Sequence, residues 1–171
     1  MELQSLEKTS KKTVQTHISK VFLTGKYAYK VKKPVNFGFL DFSDLKKRKF
    51  YCHQELKLNS RLSPEIYLKV VPITAEGRII DFAVKMRQLS QGLVMENLLK
   101  SNRVSKEVLE KLARIIARFH QRAQNLPATK KKEAIRAVRS NWEENFQQTE
   151  EFVGKAIFRS DFEMIHKKIK D

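Results

Sequence analysis

Two adjacent stretches near the start of the chain alternate apolar and polar residues: ISKVFL over residues 18–23 and YAYKVK over 27–32. A period of two is that of a strand with one covered face. Thr24-Gly25-Lys26 lies between them and supplies a turn, with Gly25 free to take positive φ. The pattern predicts a β-hairpin ended by Pro34, which cannot donate to a strand ladder. IYLKVVPIT over 66–74 and IIDFAVKM over 79–86 predict a second hairpin around Glu76-Gly77, its first strand interrupted at Pro72. Between the hairpins, the Phe-rich stretch VNFGFLDF leads into a helix over 44–62, capped by Ser43 or Asp41 and closed by Ser63-Pro64. Its apolar positions include Leu45, Cys52, Leu56 and Leu62, with the KKRK run at 46–49 on the wet side. Residues 1–12 are polar, frayed or a short helix.

From Gly92 onward the strand signal fades. Val108, Leu112, Ile115, Ile116 and Phe119 recur at helical spacing and predict an amphipathic helix over 105–123. Asn125-Leu126-Pro127 breaks it, and helices over 130–152 and 158–170 follow, separated by Gly154. The chain reads as α+β: a polar segment 1–13, a sheet-plus-helix region 14–90 and a helical region 91–171, with the boundary at residues 88–92.

Composition narrows the partners. The net charge of +16 in 171 residues points to an anionic partner: nucleotide, nucleic acid, an acidic protein or a membrane surface. Cys52 is the only cysteine, which rules out an internal disulfide and fits a reducing, cytoplasmic setting. No apolar run reaches the roughly 18 residues a membrane span needs, so no membrane is expected.

Lys30 is the residue with candidate chemistry. A lysine in a strand beyond a hairpin turn can meet nucleotide phosphates as a point charge. Glu55 lies on the inward face of the following helix with Cys52, Leu56 and Asn59, and an inward carboxylate needs a cation. The pattern alone leaves two readings open: a phosphate lysine with its orienting glutamate, or two surface charges. Thr24-Gly25-Lys26 lacks the other positions of a Walker A loop. Cys52, His53 and Glu55 have no second pair of ligands at metal spacing. Trp142 and Phe146, one helical turn apart, read as core.

The stretch from THISKVFLTGKYAYKVKKPVNFGF to EIYLKVVPI resembles the N-terminal part of bacterial aminoglycoside-phosphotransferase-like proteins, in which a kinase-like domain is often fused to a P-loop ATPase or kinase domain. FAVKMRQL, ARFHQRA and NWEENFQQTEEFVG resemble that family too, so the likeness runs from Thr16 to Ile169. It implies a protein-kinase-like fold: a nucleotide-binding small lobe of antiparallel sheet plus one helix, then the first helices of a large lobe. Lys30 would match the phosphate-contacting lysine and Glu55 its helix partner. Arg87, Gln88 and Leu89 would lead into the hinge whose backbone meets adenine. His17 and Ser19, in the segment before the hairpin, would cover the phosphates in place of a Gly-rich loop.

The chain departs from that family at the chemistry. A catalytic loop resembling H-G-D-x-H, with the acids that hold magnesium, is not found. His120 is followed by Gln121 and Arg122, and Asp161-Phe162-Glu163 lacks the glycine of D-F-G. The expectation is a C-terminally truncated, ATP-binding portion of a small-molecule kinase, inactive alone. Magnesium would be held only once a missing C-terminal part, or a partner chain completing the large lobe, is added. The competing expectation is a basic scaffold for nucleic acid or an acidic protein, using Lys46 to Lys49.

Overall fold

The computed structural model describes residues 1–123, 127 and 130–170. It is α+β and divides into two compact units, Met1–Phe119 and His120–Asp171. The boundary expected at residues 88–92 therefore lies inside the first unit.

The first unit is built on one antiparallel sheet. Its strands are β1 (Lys12–Gln15), β2 (Ser19–Leu23), β3 (Tyr27–Lys32), β4 (Tyr67–Ala75) and β5 (Arg78–Arg87), in the order β1-β2-β3-β5-β4. Strand β1 was not legible in the sequence. Its four residues KTVQ are all exposed, so no alternation of burial marks it. Strand β4 runs unbroken through Pro72, contrary to the expected interruption. It is an edge strand, where a missing N–H costs the ladder nothing. The two turns fall where expected: Gly25 (φ 94°) joins β2 to β3, and Glu76-Gly77 joins β4 to β5.

Period-two alternation gives the sheet two covered faces. On one, Phe22, Tyr29, Ile73 and Ala83 surround Leu6 of α1 (Leu3–Thr9). Leu6 is 1% exposed, so this end of the chain is not frayed. Glu2 forms a parallel bridge with Thr74, whose N–H donates to Met1 O at 2.9 Å, and this pairing caps the free edge of β4. On the other face, Phe82 and Val84 receive Cys52 of α2 (Leu45–Asn59).

The α2 N-cap is Asp44 rather than Ser43 or Asp41. Its side chain accepts from Lys47 N at 2.8 Å. Arg48, expected on the wet side with the rest of KKRK, is buried instead. The helical stripe 45–48–52–55–56 turns to the sheet and carries Arg48 and Glu55 with it. Phe50 and Leu58 are left exposed on the opposite side.

After β5 come a short 3₁₀ turn (Gln91–Leu93) and α3 (Met95–Lys100), neither of them expected, then α4 (Lys106–Arg122). On α4, Val108, Leu112, Ile115 and Ile116 are all exposed, each by at least 40%. The expected break at Asn125-Leu126 lies outside the described residues. In the second unit α5 (Lys131–Thr149) and α6 (Arg159–Lys170) meet through Phe146, whose ring lies 5.3 Å from Phe162 and 4.3 Å from His166. Trp142 is 41% exposed and is not the core residue its spacing suggested.

Candidate functional site

Residues 28, 30 and 32 of β3 share the sheet face that α2 covers, because side chains alternate along a strand. Lys30 and Lys32 therefore point the same way, toward Glu55. Lys30 Nζ donates to Glu55 Oε1 at 2.9 Å, and Lys32 Nζ to Oε2 at 2.8 Å. The Glu55 side chain is 12% exposed, Lys32 7% and Lys30 32%. Lys32 is thus the enclosed arm of the triad and Lys30 the open one. Burial works to raise the Glu55 carboxyl, but hydrogen bonds from Lys32 and then Lys30 outweigh it and hold the group below its ordinary value.

Helix α2 is fastened on both sides of Cys52. One turn before it, Arg48 Nε donates to Asp81 on β5 at 3.0 and 3.1 Å, while Nη1 donates to Phe42 O and Ser43 O. About one turn after it, Glu55 takes the two lysines of β3. Cys52 itself is fully buried, with Sγ 3.6 Å from Phe82 O. Burial pushes its thiol up to about 11, so it is protonated at neutral pH and no nucleophile.

Beside the triad lies a cavity of about 350 Å³ lined by Leu23, Ala28, Tyr67, Met86, Val94 and, at its rim, Arg87, Gln88 and Leu89. Ala28 precedes Lys30 by two residues on the same strand face, and Met86 faces it across the β3–β5 register. The small Ala28 side chain leaves the space that a larger one would fill. Tyr67 links cavity and triad. Its hydroxyl is pushed above its ordinary value by burial and next by the Glu55 charge.

Gln88 fixes the rim. Its N–H donates to Lys26 O at 3.1 Å and its Oε1 accepts from Gly25 N at 2.8 Å, tying the β2–β3 turn to the end of β5. Arg87 N donates to Ile66 O at 2.8 Å. The backbone N–H of Leu89 makes no hydrogen bond among the described residues.

The structure thus places Lys30 beside Glu55, and Arg87, Gln88 and Leu89 along one cavity. Of the other two candidates, Ser19 faces Lys32 of the triad across the β2–β3 register, and His17 lies apart. His17 is exposed in the β1–β2 turn, with its ring 6.2 Å from Phe37. Ser19 is 1% exposed and its Oγ has no hydrogen-bond partner among the described residues. The turn is closed by Thr16, whose Oγ1 accepts from Ser19 N at 3.0 Å, and not by a glycine. Sequence reasoning missed Lys32, Ala28 and Tyr67. The first two were available from period-two spacing around Lys30. Tyr67 was not, since only the β4–β5 register brings it to Met86.

Three uncharacterized proteins are similar to this chain, two from strains of Mycobacterium tuberculosis and one from Mycobacterium bovis. Each is 31% identical over 144 residues, which is 84% of this chain and 29% of the relative. The chain therefore spans less than a third of the length of these relatives. No protein-family model and no solved structure matches it.

Among the described residues, no helix is long and apolar enough to cross a membrane.

Proposed function

We propose that this chain is the ATP-binding portion of an aminoglycoside-phosphotransferase-like small-molecule kinase. The observation that carries the reading is the Lys30–Glu55 pair, 2.9 Å apart, beside a cavity rimmed by Arg87, Gln88 and Leu89. The sheet order, with one helix packed on the face that holds the lysine, suits a kinase-like small lobe. The cavity is lined mainly by apolar side chains and is large enough for a purine. The N–H of Leu89 is available to a hydrogen-bond acceptor on the ring edge, and Lys30 offers a cation to the phosphates. ATP would bring the transferable γ-phosphoryl group. This chain's residues would bind and orient it.

Phosphoryl transfer needs a base and metal-holding acids. Among the described residues, no group of three or more His, Cys, Asp and Glu side chains is arranged to hold a metal ion. No H-G-D-x-H loop is found in the sequence, so the reading takes this chain as a nucleotide binder, with magnesium held only once further residues complete the site. The exposed stripe Val108, Leu112 and Ile115 on α4 supports a partner segment that completes the helical part.

Isothermal titration calorimetry of the 171-residue chain with ATP tests the reading. Binding that Lys30→Ala weakens at least about tenfold is expected, from the loss of a charge-assisted contact. Absence of binding at millimolar ATP overturns it. DNA or RNA binding that falls steeply with salt, ignores Lys30→Ala and is lost on neutralising Lys46, Lys47 and Lys49 would put the basic scaffold in its place.

A further inference from the structure

We propose that Lys32 is the positioning residue of this site: it anchors Glu55 in the core so that Lys30 is free to turn toward an anion in the cavity. The inference rests on the nucleotide reading for the identity of that anion. Its geometry stands separately.

One carboxylate holds two ammonium groups, each on its own oxygen, at 2.9 Å for Lys30 and 2.8 Å for Lys32. The two lysines are not equivalent. Lys32 is 7% exposed, and its Nζ also lies 4.7 Å from the centre of the buried Phe42 ring. The backbone oxygen of Phe42 in turn accepts from Arg48 at 3.1 Å, so the residue beneath Lys32 is itself fastened. Lys30 is 32% exposed and two residues from Ala28 on the cavity wall.

A single lysine serving both roles would have to divide its N–H donors between Glu55 and a phosphate, leaving the buried carboxylate only partly compensated, which is unfavourable. With Lys32 fixed on Oε2, Glu55 stays compensated while Lys30 turns. Two ammonium groups against one carboxylate also leave the triad with one net positive charge, the sign an anionic ligand requires.

Two readouts test the anchor: calorimetry with ATP and with adenosine, and a pH titration of the Glu55 side-chain carboxyl followed by carbon NMR. Lys32→Met keeps the stem and removes the charge. It should weaken ATP about tenfold, leave adenosine unchanged and raise the Glu55 midpoint. Lys32→Arg should restore most of the ATP affinity. In a Glu55→Gln background Lys32→Met should add no further loss, since the two act as a unit. Should Lys32→Met fail to fold, Lys32→Gln carries the same expected signs.

Unchanged ATP affinity in Lys32→Met, with affinity lost in Lys30→Met, overturns the anchor and leaves the nucleotide reading standing. If the parent chain binds no ATP, the nucleotide reading falls and the titration decides the anchor. A Glu55 midpoint raised by Lys32→Met at least as far as by Lys30→Met upholds it, and an unmoved midpoint overturns it.

Discussion

Arg48 on α2 donates its Nε to both carboxylate oxygens of Asp81 on β5, at 3.0 and 3.1 Å, inside a run of basic residues that otherwise faces water. The Arg48 side chain is 10% exposed and that of Asp81 18%, so neither charge can be left alone cheaply. The pair sets the roll of α2 about its axis and so decides that Glu55 faces β3.

Arg48→Ala should therefore destabilise the chain by about 3 kcal/mol, whereas Lys46→Ala, two residues away and exposed, should stay within about 0.5 kcal/mol. Urea unfolding of the two variants side by side checks this. Equal effects would mean that Arg48 is one more surface charge.

Leu6 should behave as core. With 1% of its surface exposed among Phe22, Tyr29, Ile73 and Ala83, Leu6→Ala should cost about 2–5 kcal/mol. A loss below 1 kcal/mol in the same assay would show that α1 does not stay on the sheet.

Acid should weaken the α2 attachment through Glu55. Burial would raise this carboxyl, but Lys32 and Lys30 hold it below its ordinary 4.5. A group whose folded pKa is depressed stabilises fully above its ordinary value and loses that contribution as pH falls through the folded one. The stability gap between the parent and Glu55→Gln should thus be widest above pH 4.5 and close below it. A gap independent of pH between neutrality and pH 3 would remove Glu55 from the list of acid-sensitive groups.

Filling the cavity should separate binding from folding. Ala28→Leu places three more carbons against Met86 and Tyr67, at an overpacking cost of about 1–3 kcal/mol. Adenosine and ATP should both bind at least about tenfold more weakly, although Lys30 and Glu55 are untouched. Adenosine binding as in the parent chain would place the ring elsewhere.

Much of the first unit was legible in the sequence for local reasons. The hairpin of β2 and β3, the helix α2 and the hairpin of β4 and β5 each follow from a period of two or of 3.6 and from a turn residue within the segment. The same periodicity put Lys30 on one strand face and Glu55 on the inward face of α2. Strand β1 left no such trace, because an exposed edge strand needs no apolar alternation and is held by backbone pairing to β2. The polar start of the chain concealed Leu6, since Leu3 and Leu6 in a seven-residue helix are too few apolar positions to establish a period.

The sequence by itself determined most of the strands and helices, β1 and α3 excepted, and which face of β3 and of α2 carries a charge. The tertiary structure alone decided that those charges meet, that Arg48 leaves the basic run for Asp81, that Lys32 and not Lys30 is enclosed, and that Tyr67 joins the cavity to the triad. The physical reason is range. Propensity and periodicity act over a few residues, whereas ion pairing, enclosure and cavity shape depend on the register between β3, β5 and β4 and on how closely Cys52, a small side chain, lets α2 approach them.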